Sequence, residues 1–243
     1  MTTLRSLLFF LLFVLNTIVY GLLLSILGWV LPDSISNAIA NSWAAVTLWL
    51  LRLICGLDYR VSGAENLPDA AVIIMSKHQS AWETIALRHI IGGKQAWILK
   101  RELKRIPIFG WALASMSAIA IDRQAGRKAI LQIIRQGTER LGDGYRVIIF
   151  PEGTRTAPGE RGRYAIGGAL LAEKSGYPVV PIAHNAGNFW RRRDINKYPG
   201  VIDVVIGKPI AVNKRDAQEI IREVEEWIEQ RMDELPTSLS TAH

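Results

Sequence analysis

The 243-residue chain is 49% hydrophobic, contains a single cysteine and carries a formal net charge of +7. This composition excludes a disordered protein, a collagen and a disulfide-stapled secreted domain. Its charges are unevenly distributed, because the 29 Lys and Arg and 22 Asp and Glu residues include only three before residue 58, namely Arg5, Asp33 and Arg52. The sequence therefore predicts an N-terminal membrane-anchoring segment over residues 1–57, followed by an α/β domain with its own core over residues 58–243.

The N-terminal segment contains two apolar stretches. Residues 7–31 form an uncharged run of 25 residues, about 37 Å as a helix, against a hydrocarbon core of about 30 Å. A second apolar stretch covers residues 38–57, and residues 32–33 (Pro-Asp) break the run between them. The pair predicts a helical hairpin, because the apolar core of a signal peptide runs to only about 7–15 residues. Arg5 precedes the first stretch and Arg52 and Arg60 lie around the end of the second, which predicts that both ends of the hairpin face the cytoplasm. Its length leaves open whether the hairpin spans the bilayer or enters one leaflet.

Beyond residue 57, short β-rich runs alternate with helical periodicities. The predicted strands are 59–62, 71–75, 96–99, 118–121, 146–150, 179–182 and 201–206. Helices are predicted at 127–141, at 167–175 and at the C-terminus, where an apolar stripe from Ala217 to Ile228 follows Asn213 or Asp216 as its cap. This alternation predicts a mixed β-sheet flanked by helices, with 146–150 as a buried central strand.

Charge and residue usage narrow the classes of partner. The positive charge after residue 57 favours an anionic surface, and a membrane is favoured over nucleic acid because no nucleic-acid-binding motif is present. The four His residues are spread singly along the chain and Cys55 has no second cysteine to pair with, so we expect no metal site and find no sign of an oxidising compartment.

The first group of polar residues with chemical potential is the run from His78 to Glu83, directly after a predicted strand. Side chains five apart on one helix diverge by about 140°, so His78 and Glu83 meet only if the helix begins between them, with Ser80 as a natural cap. An imidazole backed by a carboxylate is a general base able to take a proton from an alcohol. The alternative interpretation is an ordinary capping box from Ser80 to Glu83 beside a surface histidine.

The second group follows the most apolar strand and consists of Glu152, Gly153, Thr154 and Arg155. A guanidinium, a hydroxyl and a small residue at a strand end suit a phosphate. The alternative is a solvated loop in which Glu152 and Arg155 neutralise each other. Lys100 and Arg123 stand at the ends of two further predicted strands, and each by itself is typical of a surface charge.

Taken in order, these groups resemble the motifs of the glycerolipid acyltransferase family, in particular its 1-acylglycerol-3-phosphate acyltransferases, over about residues 58–212. The run from His78 to Glu83 is similar to the family's His-x4-Asp box, with Glu where Asp is usual. The series from Lys100 to Arg123 resembles the second block, residues 150–155 (Phe-Pro-Glu-Gly-Thr-Arg) match the third, and residues 179–182 look like the fourth.

The resemblance implies a membrane enzyme without a cofactor, which transfers an acyl group from acyl-CoA or acyl carrier protein to the free sn-2 hydroxyl of lysophosphatidic acid. It implies that His78 is the general base and that Glu83 orients it. The acceptor phosphate would be bound by Lys100, Arg123, Glu152, Gly153, Thr154 and Arg155. A thioester needs no activation, so deprotonating and positioning the alcohol is most of the catalytic task.

Other functions stay open at this point. Residues 164–167 (Tyr-Ala-Ile-Gly) lack a lysine usual in the family, and residues 190–193 (Trp-Arg-Arg-Arg) are unusual, so another lysolipid or an aminolipid is an alternative acceptor. A catalytically inactive, membrane-tethered lipid-binding protein is a second alternative, which the intact His-x4-Glu box disfavours. A membrane esterase is disfavoured because no serine lies in a G-x-S-x-G elbow.

Overall fold

The computed structural model describes residues 1–236, apart from the side chain of Arg123. The strands are β1 (Leu57–Ser62), β2 (Ile73–Ser76), β3 (Gln95–Lys100), β4 (Ile119–Ile121), β5 (Arg146–Ile149), β6 (Val179–His184) and β7 (Gly200–Ile206). The helices are α1 (Thr2–Leu27), α2 (Asp33–Cys55), α3 (Trp82–Ile91), α4 (Phe109–Ala114), α5 (Arg127–Gly142), α6 (Gly167–Ser175) and α7 (Ala217–Glu234). Every strand and helix predicted from the sequence is present, with ends shifted by a few residues.

All seven strands form one mixed sheet in the order β1-β7-β6-β2-β5-β3-β4. Neighbouring strands are parallel except β6 and β7, which are antiparallel. Five adjacent strands, from β6 to β4, therefore run in one direction and end at the same edge of the sheet. The predicted mixed sheet is confirmed, and β5 is an interior strand with Val147 and Ile148 fully buried.

Two hydrophobic cores lie on opposite faces of the sheet. On one face Ile73 and Val147 pack with residues of α5, α6 and α7. On the other face Ile74 and Ile148 pack with residues of α2 and α3. Successive side chains of a strand point to opposite faces, and strands buried on both faces are apolar at every position. This explains the unbroken apolar runs in the sequence.

Helix α7 begins at the second of its two candidate caps. The Asp216 carboxylate accepts hydrogen bonds from the backbone N–H groups of Gln218 (2.8 Å) and Glu219 (2.9 Å). Such a cap satisfies donors that the first helical turn leaves unpaired. Its stripe, including the fully buried Ile220 and Ile228, fastens α7 to the sheet.

The N-terminal helices are long and apolar enough to cross a membrane. Helix α1 exposes large apolar side chains, among them Leu11, Val19 and Ile26, which is unusual for a helix in contact with water. It nevertheless contacts the sheet domain near both of its ends. The Ser6 hydroxyl accepts from the backbone N–H of Lys197 (2.9 Å), and the Ser25 hydroxyl donates to the Ile108 carbonyl (3.2 Å). These contacts are about 28 Å apart along the helix axis, so α1 lies along the domain.

Helix α2 is joined to the domain by both hydrogen bonds and chain connectivity. The Asn37 side-chain oxygen accepts from the Arg88 guanidinium (2.7 Å) and from the backbone N–H of Gln95 (3.1 Å). At the other end, Gly56 adopts a left-handed conformation (φ 65°) that ends the helix, and β1 follows at once. The hairpin thus shares a core with the sheet domain, and the domain boundary at residue 57 stays a prediction.

Candidate active site

The residues singled out from the sequence converge at the edge where the five parallel strands end. His78 follows β2, Lys100 ends β3, Arg123 begins a 3-10 turn after β4, and residues 150–155 follow β5. Because β2, β5, β3 and β4 are consecutive in the sheet, these groups stand side by side. Ligands of α/β sheets commonly bind at this carboxyl edge.

His78 and Glu83 are in direct contact. Helix α3 begins at Trp82, so Glu83 lies in the first turn and its side chain reaches back to place Oε1 2.8 Å from His78 Nδ1. An ionised carboxylate only accepts, so this network assigns the ring proton to Nδ1 and leaves Nε2 unprotonated. The His78 ring also stacks on Phe150, with centroids 4.1 Å apart, and this contact limits its rotation.

Glu83 is fully buried, and its carboxylate accepts several hydrogen bonds from the protein. Besides His78, the backbone N–H groups of Gln79 (2.9 Å) and Ser80 (2.8 Å) donate to Oε1. Burial by itself would raise the pKa of Glu83, but the hydrogen bonds from His78 and from the Ser80 amide outweigh burial and hold that pKa below its ordinary value. The Glu83 carboxylate is therefore ionised at neutral pH.

The capping interpretation and the acid–base interpretation describe the same carboxylate. The Ser80 hydroxyl accepts from the backbone N–H of Trp82 (3.1 Å) while Glu83 accepts from that of Ser80, which satisfies donors at the start of α3. The capping interpretation expected His78 to be a surface residue, but only 12% of its side chain is exposed. Glu83 thus caps α3 and holds the imidazole.

A second buried histidine supports the chain just before His78. The His184 ring donates from Nε2 to the Lys77 carbonyl (2.9 Å), and its Nδ1 accepts from the backbone N–H of Ala186 (3.4 Å). Complete burial lowers the pKa of His184 below its ordinary value. This ring is therefore neutral at neutral pH and serves as a fixed hydrogen-bonding group.

The loop after β5 turns its carboxylate inward. Glu152 Oε2 accepts from the backbone N–H of His78 (2.8 Å), while Oε1 lies 2.8 Å from Lys77 Nζ and accepts from the Thr156 hydroxyl (3.1 Å). Both oxygens are occupied beneath the histidine. The solvated-loop interpretation requires Glu152 to neutralise Arg155. Glu152 pairs with Lys77 instead.

The basic groups of the site face outward. Lys100 and Thr154 are exposed and Arg155 is half-buried, while Gly153 takes a left-handed conformation (φ 66°) that lets the loop turn. Within residues 1–236, neither Lys100 nor Arg155 forms an ion pair. Arg123 lies beside them in the fold, and its side chain is outside the described part of the chain. Positive charge is thus available for an anion at this edge.

Three residues around His78 were not predicted from the sequence as site residues: Phe150 and Thr156, which contact His78 or its backbone, and His184, which binds the carbonyl of the preceding Lys77. Phe150 reads as the end of a strand and Thr156 as a loop residue. His184 lies 106 positions from His78 in the chain, so no local pattern connects them. The sequence did contain one signal of a buried polar cluster near His78: Lys77 is a charged residue at the end of an apolar strand, and a lysine buried there requires a partner.

A family model described as Acyltransferase matches residues 58–185, just over half of the chain, and includes the four motif blocks described above. The chain belongs to the acyltransferase family. It is 40% identical to a 1-acyl-sn-glycerol-3-phosphate acyltransferase of Pseudomonas aeruginosa over 95% of this chain and 91% of that protein. It is 32% identical to the chloroplastic 1-acyl-sn-glycerol-3-phosphate acyltransferase LPAT1 of Arabidopsis thaliana over 73% of this chain and 49% of that protein, so it spans about half the length of the plant relative.

The acyltransferase fold extends beyond the matched residues. The crystal structure of the 1-acyl-sn-glycerophosphate acyltransferase PlsC from Thermotoga maritima superposes with a TM-score of 0.81, covering 99% of this chain and 98% of that chain at 22% sequence identity. This likeness includes the N-terminal helices and α7. The family resemblance seen in the sequence is confirmed.

Proposed function

We propose that this acyltransferase transfers an acyl group from an acyl thioester, either acyl-CoA or acyl carrier protein, to the free sn-2 hydroxyl of lysophosphatidic acid, giving phosphatidic acid. The observation that carries the proposal is the His78–Glu83 pair, 2.8 Å apart, beside outward-facing basic groups. The relative from Pseudomonas aeruginosa, named for this acceptor and 40% identical over nearly the whole chain, supports the choice of substrate.

His78 acts as general base through Nε2. It removes the proton from the sn-2 hydroxyl as that oxygen attacks the thioester carbonyl; a C–O bond forms and the C–S bond breaks. The proton then passes from the imidazolium to the leaving thiolate, so no covalent enzyme intermediate is needed. Glu83, ionised and bonded to Nδ1, keeps the ring in the reactive tautomer and stabilises the imidazolium.

The acceptor phosphate is bound by the basic groups at the sheet edge. Arg155, Lys100 and Arg123 supply positive charge, and Thr154 and Gly153 supply a hydroxyl and space for the backbone to approach. We reassign Glu152, which the family resemblance placed at the phosphate. A carboxylate would repel a phosphate, and both Glu152 oxygens are occupied beneath His78, so its role is to hold the His78 backbone.

The hairpin inserts into the cytoplasmic leaflet without crossing the bilayer, and the catalytic domain faces the cytoplasm. A helix that crossed the membrane could not contact the domain through both Ser6 and Ser25, about 28 Å apart, unless the domain itself lay in the hydrocarbon. Burial in one leaflet places the site near the headgroups, where a lysolipid presents its phosphate. The net positive charge of the chain suits an anionic donor.

The proposed reaction is tested with purified full-length protein and a panel of lysolipids, including lysophosphatidic acid and an aminolipid. Each acceptor is paired with acyl-CoA and with acyl carrier protein, and the diacyl product is identified by mass spectrometry. Phosphatidic acid as the main product supports the proposal. Acylation of another acceptor only, or lipid binding without turnover, would select one of the alternative functions.

We expect the full-length protein to stay in the membrane pellet during alkaline carbonate extraction. In a Cys55→Ser background, Ser34→Cys marks an exposed position in the first turn of α2, next to the loop between the helices. A membrane-impermeant maleimide added to intact cells should not label this cysteine. It should label the cysteine once the membrane has been permeabilised. Extraction of the protein at high pH would contradict the anchor, and labelling from outside would show that the hairpin crosses.

Arg155→Ala should weaken the acceptor far more than the donor. A charge-assisted hydrogen bond contributes roughly 1.5 to 3 kcal/mol, so the KM for lysophosphatidic acid should rise about 10- to 150-fold. The KM for the thioester should change little. Lys208→Ala is the matched control, because Lys208 is exposed and follows β7, whose end lies at the opposite edge of the sheet. Equal losses for both substrates would remove Arg155 from the phosphate site.

A further inference from the structure

We propose that the buried ion pair between Lys77 and Glu229 positions the catalytic histidine, which makes helix α7 a working part of the active site. Glu229 lies on α7, beyond residues 58–185 of the family match, and Lys77 directly precedes His78. The inference rests on the proposed role of His78 as the base. Glu229 is a positioning residue in this scheme, because it acts through Lys77 and does not contact substrate.

Lys77 is held in an almost completely enclosed site. Its side chain is 1% exposed, and Nζ lies 2.8 Å from Glu152 Oε1 and 2.8 Å from Glu229 Oε1. The same ammonium donates to the Glu160 carbonyl at 3.3 Å. A buried ammonium is tolerated only when such partners replace its lost hydration, so the position of Lys77 Nζ is dictated by both carboxylates.

The ion pair is linked, through Glu152 and Thr156, to both backbone hydrogen-bonding groups of His78, its N–H and its carbonyl. Glu152, which pairs with Lys77, accepts from the His78 N–H (2.8 Å), and the Thr156 N–H donates to the His78 carbonyl (2.9 Å). Thr156 also donates through its hydroxyl to Glu152 (3.1 Å). A shift of the Lys77 ammonium would therefore displace Glu152 and, with it, the backbone that carries the imidazole.

Glu229 is itself held from the α7 side of the protein. The Tyr164 hydroxyl donates to Glu229 Oε1 (2.8 Å), and Arg161 Nε lies 3.7 Å from Oε2. Burial and the neighbouring carboxylates of Glu229 and Glu152 raise the pKa of Tyr164 far above its ordinary value, so the phenol stays protonated and remains a donor. The apolar stripe of α7, with Val224 and Ile228 fully buried, fixes the helix that carries Glu229.

Stability alone is a poor explanation of this cluster. Two carboxylates share one ammonium away from water, and apolar residues of similar volume commonly stabilise a fold as well as a buried ion pair does. What distinguishes the cluster is its location, one residue before the base and one hydrogen bond from the backbone of the base. Displacements of about 1 Å in a catalytic group can lower a rate by about 100-fold, so a rigid support at this point favours turnover.

The test compares kcat and KM in full-length variants. Glu229→Gln keeps the shape and removes the charge; we expect kcat to fall roughly 10- to 100-fold, with KM for lysophosphatidic acid and for the thioester nearly unchanged. Glu229→Asp retains the charge and should recover part of the loss. Glu226→Gln, an exposed position on the same helix, is the matched control and should behave as wild type. Melting temperatures are measured for every variant.

The double variant Lys77→Met, Glu229→Leu separates support of His78 from support of the fold. It replaces the pair by apolar groups, and Glu152 keeps its hydrogen bonds from the His78 N–H and the Thr156 hydroxyl; we expect a less stable but folded protein that stays slow. Wild-type kcat in either this variant or folded Glu229→Gln would overturn the inference. So would a loss of activity that only follows the loss of folded protein. If the wild-type enzyme itself does not acylate lysophosphatidic acid, the proposed function fails instead, and the two failures are distinguishable.

Discussion

His78→Ala is expected to lower kcat by roughly 10²- to 10⁴-fold, the range that a positioned general base contributes. In the structure the imidazole is bonded through Nδ1 to Glu83 and stacked on Phe150, which leaves Nε2 as the group able to take the hydroxyl proton. The backbone at position 78 keeps its hydrogen bonds to Glu152 and Thr156 in the variant. We therefore expect the loss to be in catalysis, and the far-UV circular dichroism spectrum to be unchanged.

His89→Ala is the matched control, because His89 is an exposed histidine on α3, away from the sheet edge. It should have wild-type kcat. Single-turnover kinetics with both substrates bound should show the loss in the chemical step for His78→Ala. A His78→Ala enzyme within about threefold of wild type, far less than a base contributes, would contradict the assignment of His78 as the base.

Glu83→Gln is expected to lower kcat by roughly 10² or more while the melting temperature changes little. A glutamine oxygen can still accept from the backbone N–H of Ser80, as capping requires. The same Oε1 accepts from His78 Nδ1, so the glutamine oxygen still holds the ring proton on Nδ1, but as a neutral acceptor it binds the imidazole more weakly than a carboxylate does. The variant also loses the negative charge that stabilises the imidazolium.

Glu83→Asp provides the comparison, since aspartate is the usual residue of the family at this position. It keeps the charge and shortens the side chain by one methylene, so it should retain activity between that of Glu83→Gln and wild type. Steady-state kinetics and thermal melts of both variants make the distinction. Wild-type turnover in Glu83→Gln would show that Glu83 serves only as a cap for α3 and that His78 acts without it.

Much of the site could be predicted because its geometry is local. His78 and Glu83 meet since α3 begins at Trp82, and the residues around that start are readable from the sequence. Lys100, Arg123 and residues 150–155 each follow a recognisable strand, so parallel pairing alone brings them to one edge. The roles of these residues in binding and catalysis remain predictions for the experiments above.

The role of Glu152 could not be predicted, since the sequence shows a carboxylate beside Arg155 and does not show which cation it contacts. In the fold its oxygens bind Lys77 and the His78 backbone. Glu229 is 152 residues from Lys77, and in the sequence it is one of several acidic residues on an amphipathic helix. Its importance depends on which turn of α7 faces Lys77, which is a property of packing.

The sequence by itself determined the alternation of strands and helices, the apolar hairpin and the positions of the motifs at strand ends, because side-chain periodicity and turn chemistry act over a few neighbouring residues. Only the tertiary structure decided the strand order, the contact of α1 with the domain at both ends, and the pairing of Lys77 with Glu152 and Glu229. Burial and charge pairing are through-space interactions. They depend on which distant segments pack together, and a local pattern carries no record of that choice.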